Sequence, residues 1–389
     1  MTTKNYDVIV VGAGPAGSCA ALELANGGVG VALLDKEEFP RYKTCAGGIV
    51  RRAIANIPVD MSSVIDNECF TVEFNLLAPA LHFSIWRNQP IISMTSRDNF
   101  DNLLAMEAEK AGAKMFSRCE VFDVHQNSGS VVLQTNEGDF SANFVIAADG
   151  ALSRVARKGG WQETRRLIPA LECRIHVDDK TLEKFGQTAR FDFDLVTDGY
   201  AWTFPKRDHL SVGIGRMGGR SIKLLDSFHR YLKLSGIAPL AEPQLHRSVI
   251  PVSPRKDGLM RNRIILAGDA AGLVDPITAE GISFAVLSSQ IAAEALISGE
   301  LKNDLVENLY NHEINERVLK ELRLGRIAGN LLYNHPRVRS RLFGWYGHKL
   351  TKTMTRVFMG ETTYGEIARN PLNYVKLMRI WNPADTEVE

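Results

Sequence analysis

The stretch Asp7-Val-Ile-Val-Val-Gly-Ala-Gly-Pro-Ala-Gly-Ser18 decides how this chain folds. Its unbroken apolar run reads as a strand buried on both faces, and the glycines after it read as a turn into a helix. Gly12 permits the tight turn and Gly14 lets a backbone approach a pyrophosphate. Gly17 lets the helix pack on the strand, and Ala16 lies at the helix start, whose N–H groups face the phosphates. A second strand, Val29-Gly-Val-Ala-Leu-Leu-Asp-Lys36, ends on Asp35 and Lys36, where an acidic side chain accepts hydrogen bonds from an adenosine ribose. Strand, turn, helix, strand and terminal acid in this order predict a Rossmann-like dinucleotide-binding unit of the α/β class.

The 389 residues suit two or three domains. Hydrophobic content of 45% and charged content of 23% are those of a globular protein, and a net charge of +1 gives no pull toward nucleic acid. The five cysteines, Cys19, Cys45, Cys69, Cys119 and Cys173, contain no Cys-x-x-Cys pair. That spacing suggests neither a disulfide framework nor a zinc site and fits a reducing, cytoplasmic setting. The apolar stretch from Val8 to Ala25 is interrupted by the turn glycines, so it reads as strand and helix rather than as a signal peptide. The early start of the first strand leaves no room for a cleaved targeting segment, and no other run is apolar enough to span a bilayer.

Two further strands deliver acids into turns. Asn143-Phe-Val-Ile-Ala-Ala-Asp-Gly150 ends on Asp149, and Arg263-Ile-Ile-Leu-Ala-Gly-Asp269 ends on Asp269, followed by a helix pattern from Gly281 and Ile282. An aspartate so placed accepts hydrogen bonds from a ribityl chain, and the helix start offers N–H groups to a flavin carbonyl. In this order the elements resemble the flavin monooxygenase-like superfamily with the p-hydroxybenzoate hydroxylase type of fold. The resemblance implies FAD as cofactor, with Arg97, at the start of the helix Arg97-Asp-Asn-Phe-Asp-Asn-Leu-Leu104, and Val121 beside it. Gly213-Ile-Gly-Arg-Met-Gly218 also matches a glycine-turn pattern. The strand before it pairs instead with Tyr200–Pro205 as a hairpin through Lys206-Arg-Asp208, and no βαβ unit follows.

Two stretches narrow the resemblance. Lys43-Thr-Cys-Ala-Gly-Gly48 is similar to the Lys-x-Cys-Gly-Gly loop of the geranylgeranyl reductase family, which implies that Cys45, Ala46 and Gly48 lie beside the flavin ring. Gly199-Tyr-Ala-Trp-Thr-Phe-Pro205 is similar to that family's Pro-x-x-Tyr-x-Trp-x-Phe-Pro motif, which implies that Tyr200, Trp202 and Phe204 line the lipid pocket. Alternation along a strand puts these three aromatics on one face. The resemblance covers roughly residues 5–300. Thr197 replaces the leading proline, Ala46 replaces a glycine, and Ala156 stands where the sugar-side motif has an arginine, with Arg154 or Arg157 near enough to substitute. Ala46 serves if its φ is negative. The absence of lysine between Lys43 and Lys110 argues against a related halogenase, unless Lys110 or a later lysine reaches the site.

The implied activity is saturation of isolated C=C bonds of an isoprenoid lipid or prenyl diphosphate by reduced FAD, the electrons coming from reduced nicotinamide or ferredoxin. Cys45 is the catalytic candidate, as a flavin-proximal thiol or proton donor, and a small packing residue is the bland alternative. An FAD monooxygenase of small apolar molecules and a non-catalytic flavin or lipid carrier are the competing readings.

The FAD-binding domain is expected to be discontinuous over 1–70, 95–165 and 250–300. An antiparallel-sheet substrate domain is expected from 70–95 and 165–250, followed by a helical segment over 300–389. Between Glu321 and Glu361 no acid occurs, while Arg323, Arg326, Arg337, Arg339, Arg341, Lys349, Lys352 and Arg356 interleave with Leu331, Leu332, Leu342, Phe343, Trp345, Tyr346 and Phe358. Such a basic amphipathic stretch suits peripheral contact with a membrane, a prenyl diphosphate, or a solvated helical face.

Overall fold

Val8, Ile9 and Val10 are wholly buried, which a strand achieves only with neighbours on both edges and layers on both faces. The strand Lys4–Val11 accordingly sits inside an eight-stranded sheet. The parallel order runs Ile264–Leu266, Gly138–Ala147, Lys4–Val11, Val31–Leu34, Lys114–Phe116. The chain is described here by a computed structural model over residues 3–77, 80–196, 198–218 and 224–370. Thr197 and residues 371–389, part of the expected helical segment, lie outside the described residues.

A seven-stranded sheet forms the second layer. Its order is Gln244–Pro251, Leu167–Ile175, Leu210–Arg216, Gly199–Pro205, Thr188–Phe193, Thr71–Leu77, Ala80–Trp86. All pairs are antiparallel except Thr188–Phe193 with Thr71–Leu77. Leu210–Arg216 is the antiparallel hairpin partner of Gly199–Pro205, so the glycines at 213 and 215 belong to a sheet and not to a nucleotide turn.

One register row of this sheet reads His246, Glu172, Gly213, Trp202, Phe191, Phe74, Phe83, and directly paired residues share a face. The helix Leu224–Ser235 covers the opposite face, where Tyr231 meets Thr203 at 2.8 Å. The long helix Pro336–Met359 covers the aromatic face. A Cβ on Gly347 would stand 2.0 Å from the Phe83 ring, so helix and sheet approach closely there. Phe343 sits 6.0 Å from Phe83 and 5.8 Å from Phe193, centre to centre.

This packing corrects part of the expected basic surface. Arg339 is 0% exposed and pairs with Asp194 at the turn after Thr188–Phe193. Phe343 and Phe358 are core residues against the aromatic sheet, because the helix turns that edge inward. Arg323, Arg326, Ile327, Leu331, Arg337, Val338, Arg341 and Trp345 remain exposed on the outer side.

Removing the Arg339 guanidinium strands the Asp194 charge in a mostly buried site, which costs about 3 kcal/mol or more. Arg339→Ala is therefore expected to lower the melting temperature markedly, and Arg337→Ala on the same helix to leave it unchanged. Equal melting curves for the two variants would show that the pair carries no stability.

Candidate active site

Gly12 has φ +97, and a Cβ there would stand 2.5 Å from the Ala148 carbonyl oxygen. At Gly17 a Cβ would stand 1.7 Å from the Gly12 carbonyl oxygen, so only glycine lets the helix Pro15–Asn26 begin this close to the strand. No side chain caps that helix start, and its amides open toward the cavity at Gly14 and Ala16. The helix dipole and free N–H groups make this an anion site.

Two guanidiniums complete it. Asp101, fully buried, accepts from Arg97 Nε and Nη2 at 2.7 Å each and from Arg41 Nη1 at 2.8 Å. Both arginines reach the turn, with Nη2 atoms 3.6 Å (Arg97) and 3.9 Å (Arg41) from a Cβ built on Gly14. Two cations on one carboxylate leave net positive charge where a diphosphate would lie. Arg41 and Asp101 escaped the sequence reading, because nothing local marks a contact between positions this far apart.

Asp35 is buried at the end of Val31–Leu34. Its Oδ2 accepts from Ala13 N–H at 2.7 Å and its Oδ1 from Glu37 N–H at 2.9 Å, so it also ties the strand end to the glycine turn. Lys36 stands exposed at the rim. Val121 lines the cavity with its carbonyl accepting from Arg154 Nη1 at 3.0 Å. Arg154, not Arg157, is thus the arginine that reaches the cavity.

The Asp149 carboxylate is turned to the backbone. It accepts from Ser153 Oγ at 2.5 Å and from the Arg154 and Val155 N–H groups at 2.7 and 3.0 Å, capping the short helix Arg154–Lys158. Its expected role toward a ribityl chain is therefore shared with holding this turn. Burial raises the Asp149 carboxyl against those hydrogen bonds, and burial also raises Asp269, opposed by the nearby Lys43, Arg97 and Arg165 charges. Arg165, another residue with no sequence signal, joins the two turns by donating to Asp269 O at 2.6 Å and Ala151 O at 2.7 Å. Gly281 lies beside Asp269, its built Cβ 3.4 Å from Oδ1, and opens the helix Ile282–Ser298, whose Ser283 N–H donates to Glu280 Oε1 at 2.7 Å.

The loop Cys45–Gly48 runs between these turns and the aromatic sheet. Positive φ falls on Gly47, at +63, and not on Ala46, so alanine is accommodated. Cys45 Sγ accepts from Gly47 N–H at 3.4 Å, and the thiol faces the Arg97 guanidinium. A Cβ on Gly48 would stand 2.8 Å from the Phe204 ring. Lys206, read from sequence only as a hairpin-turn residue, is buried, and its Nζ donates to Gly47 O and Thr95 O at 2.8 Å each. Burial pushes its ammonium down to about 8.

A single cavity of about 580 Å³ joins the glycine turn, the acid-bearing turns, the Cys45–Gly48 loop and the aromatic sheet. It extends from Gly12, Asp35 and Asp149 past Cys45, Gly48, Asp269 and Ile282 to Phe191, Tyr200, Trp202, Phe204 and Phe358. Tyr200 is fixed through its hydroxyl to the Thr278 carbonyl. The Trp202 indole N–H is buried with no hydrogen-bond partner among the described residues.

An anion cradle, two acid-bearing turns and the helix start at Gly281 around one cavity fit FAD, and they define an FAD-dependent oxidoreductase. A model of the pyridine nucleotide-disulphide oxidoreductase family matches residues 6–174. The chain is 30% identical over 322 residues to digeranylgeranylglycerophospholipid reductase 2 of Methanosphaera stadtmanae, covering 77% of this chain and 81% of that one. It is 30% identical over 317 residues to a chloroplastic geranylgeranyl diphosphate reductase of Oryza sativa subsp. japonica, covering 76% and 67%. Among solved structures, a geranylgeranyl bacteriochlorophyll reductase-like protein of Thermoplasma acidophilum superposes with a TM-score of 0.75 at 28% identity, over 85% of this chain and 88% of that one. The chain belongs to the geranylgeranyl reductase family.

Gly17→Ala is expected to yield protein without bound flavin, because the added methyl drives helix and turn apart. Ala46→Gly is expected to keep its flavin. Absorbance of the purified proteins decides this, and flavin retained by Gly17→Ala would contradict the cradle.

Proposed function

We propose that this chain saturates isolated C=C bonds of a geranylgeranyl-type chain carried on a lipid or a diphosphate. The observation that carries this is the continuity of the cavity: the flavin-facing loop and the aromatic wall enclose one space. Support comes also from relatives named for reduction of digeranylgeranylglycerophospholipid and geranylgeranyl diphosphate.

FAD, reduced and bound, supplies a hydride. The protein must align an unpolarised alkene and exclude water, since nothing in such a substrate directs attack. Tyr200, Trp202 and Phe204 form the apolar wall, and Phe358 from the long C-terminal helix closes it beside Phe191. Lys206 pins the Cys45–Gly48 loop to the start of the Arg97–Lys110 helix, which fixes the loop against the ring position. Cys45 supports the reduction from that loop. Asp269, Gly281 and Ile282 hold the ribityl and ring end of the flavin, and Arg97 and Arg41 hold its diphosphate. Electrons arrive from reduced nicotinamide or ferredoxin as a separate partner.

Anaerobic incubation of dithionite-reduced protein with geranylgeranyl-bearing lipids, read by mass spectrometry, is expected to add two hydrogens per double bond. Cys45→Ser is expected to slow this turnover. An unchanged rate would remove Cys45 from the chemistry, and oxygen insertion on admitting air, with no saturation, would move the function to a monooxygenase.

The substrate is drawn from a membrane surface. The exposed Ile327, Leu331, Val338 and Trp345, set among Arg323, Arg326, Arg337 and Arg341, form an amphipathic outer side suited to anionic headgroups. No described helix is long and apolar enough to cross a membrane. The protein is expected to float with anionic liposomes at low salt and to lose most of this binding on Trp345→Ala with Arg337→Glu and Arg341→Glu. Wild-type protein left wholly in the supernatant would contradict surface binding.

A further inference from the structure

One group on the aromatic face is out of character. In the row Phe83, Phe74, Phe191, Trp202, Gly213, Glu172, a carboxyl follows four aromatic rings across a glycine gap. Glu172 is 3% exposed and lines the cavity. The Trp202 ring leans into the gap, 2.0 Å from where a Gly213 Cβ would stand, so a side chain at 213 would displace the indole that lies between Glu172 and Phe191 in this row.

The partners of Glu172 are hydroxyls. Tyr42 Oη donates to Oε2 at 2.8 Å and Ser211 Oγ to Oε1 at 3.2 Å, and no ion pair is formed by this carboxyl among the described residues. Hydroxyls accept as readily as they donate, so the pair suits either protonation state. Tyr42 is 39% exposed, lies against His246 with ring centres 4.4 Å apart and the planes tilted by 39°, and so spans from the surface to the buried acid. The groups facing Glu172 are Tyr42 from the flavin-side loop, His246 from the neighbouring strand, Arg174 on its own strand, and Lys206 from the hairpin end, while Cys173, next along the strand, lies on the opposite face. Burial raises the carboxyl, and its hydroxyl partners, Arg174 and His246 only partly oppose this.

We propose that Glu172 is the general acid of alkene reduction, and that Tyr42 is the positioning residue through which it is reprotonated from solvent. This rests on the reductase reading above. The π pair of the alkene takes the Glu172 proton to form one new C–H bond, and the hydride supplied by the reduced cofactor forms the other. The O–H bond of Glu172 breaks, leaving a carboxylate. A proton from water passes by the Tyr42 hydroxyl to restore the acid. Since the acid must be protonated, turnover holds below the raised Glu172 pKa and falls as pH rises through it.

The test uses the flavin-loaded protein with Glu172→Gln and Tyr42→Phe. Single-turnover reduction of a geranylgeranyl lipid should fall about 100-fold or more in Glu172→Gln, the scale of a lost general acid. The pH dependence should vanish with it, while flavin content and lipid binding stay at wild-type levels. Tyr42→Phe should be slowed less and keep the pH dependence at a shifted midpoint. Independently of turnover, pH-difference infrared spectra should show a protonated-carboxyl band that Glu172→Gln removes and Tyr42→Phe shifts. Wild-type rate and pH profile in Glu172→Gln, or a Glu172 ionised across the active pH range, would overturn the proposal. Wild-type protein that reduces no prenyl lipid while the infrared band is present would instead overturn the reductase reading.

Discussion

The contact between Gly17 and the Gly12 carbonyl is the constraint on which the site depends. With 1.7 Å between that oxygen and any Cβ at 17, the helix Pro15–Asn26 can start only where it does. Its amides then end above the carboxyl edge of the parallel sheet, where Asp35, Asp149 and Asp269 also arrive. Ligands gather at that edge in open α/β sheets because strand ends and helix starts converge there. Asp101 adds the electrostatic part by holding Arg41 and Arg97 over the turn, two cations kept in place by one buried acid.

The proposed chemistry also needs water kept from the alkene, and the C-terminal helices cover the aromatic face. Pro336–Met359 closes on the aromatic sheet through Phe343, Gly347 and Phe358, with the Arg339–Asp194 pair fixing its approach. The same helix carries Trp345 and the exposed arginines outward, so the element that seals the cavity also faces the lipid source in the proposed function. The loop before the helix Ile282–Ser298 is held from several sides: Arg52 reaches Asp275 and Glu280, Tyr364 reaches Asp275, and Tyr333 donates to Ile277 O. Flavin cradle, aromatic wall and C-terminal cap are thereby coupled mechanically.

Much of the flavin side is legible in sequence because each of its parts is local. A glycine turn, an apolar strand and the acid at its end carry their geometry in consecutive residues, and the Tyr200–Pro205 hairpin announces itself by alternation. Residues whose roles come from register are silent. Glu172 faces the cavity only because Leu167–Ile175 pairs with Leu210–Arg216 in one register and not the next. Lys206 looks like a turn lysine until the fold brings Gly47 O and Thr95 O to its ammonium. Arg339 reads as one arginine of a basic run, and only the direction of its helix face buries it. Charge counting along a helix does not say which side is in.

The most direct measurement is anaerobic reoxidation of the protein-bound reduced flavin, followed optically after mixing with a geranylgeranyl lipid or with its fully saturated counterpart. Reoxidation by the unsaturated lipid alone is the predicted result, since the proposed function puts the flavin and the alkene in one cavity. A reduced flavin indifferent to both lipids would contradict that account.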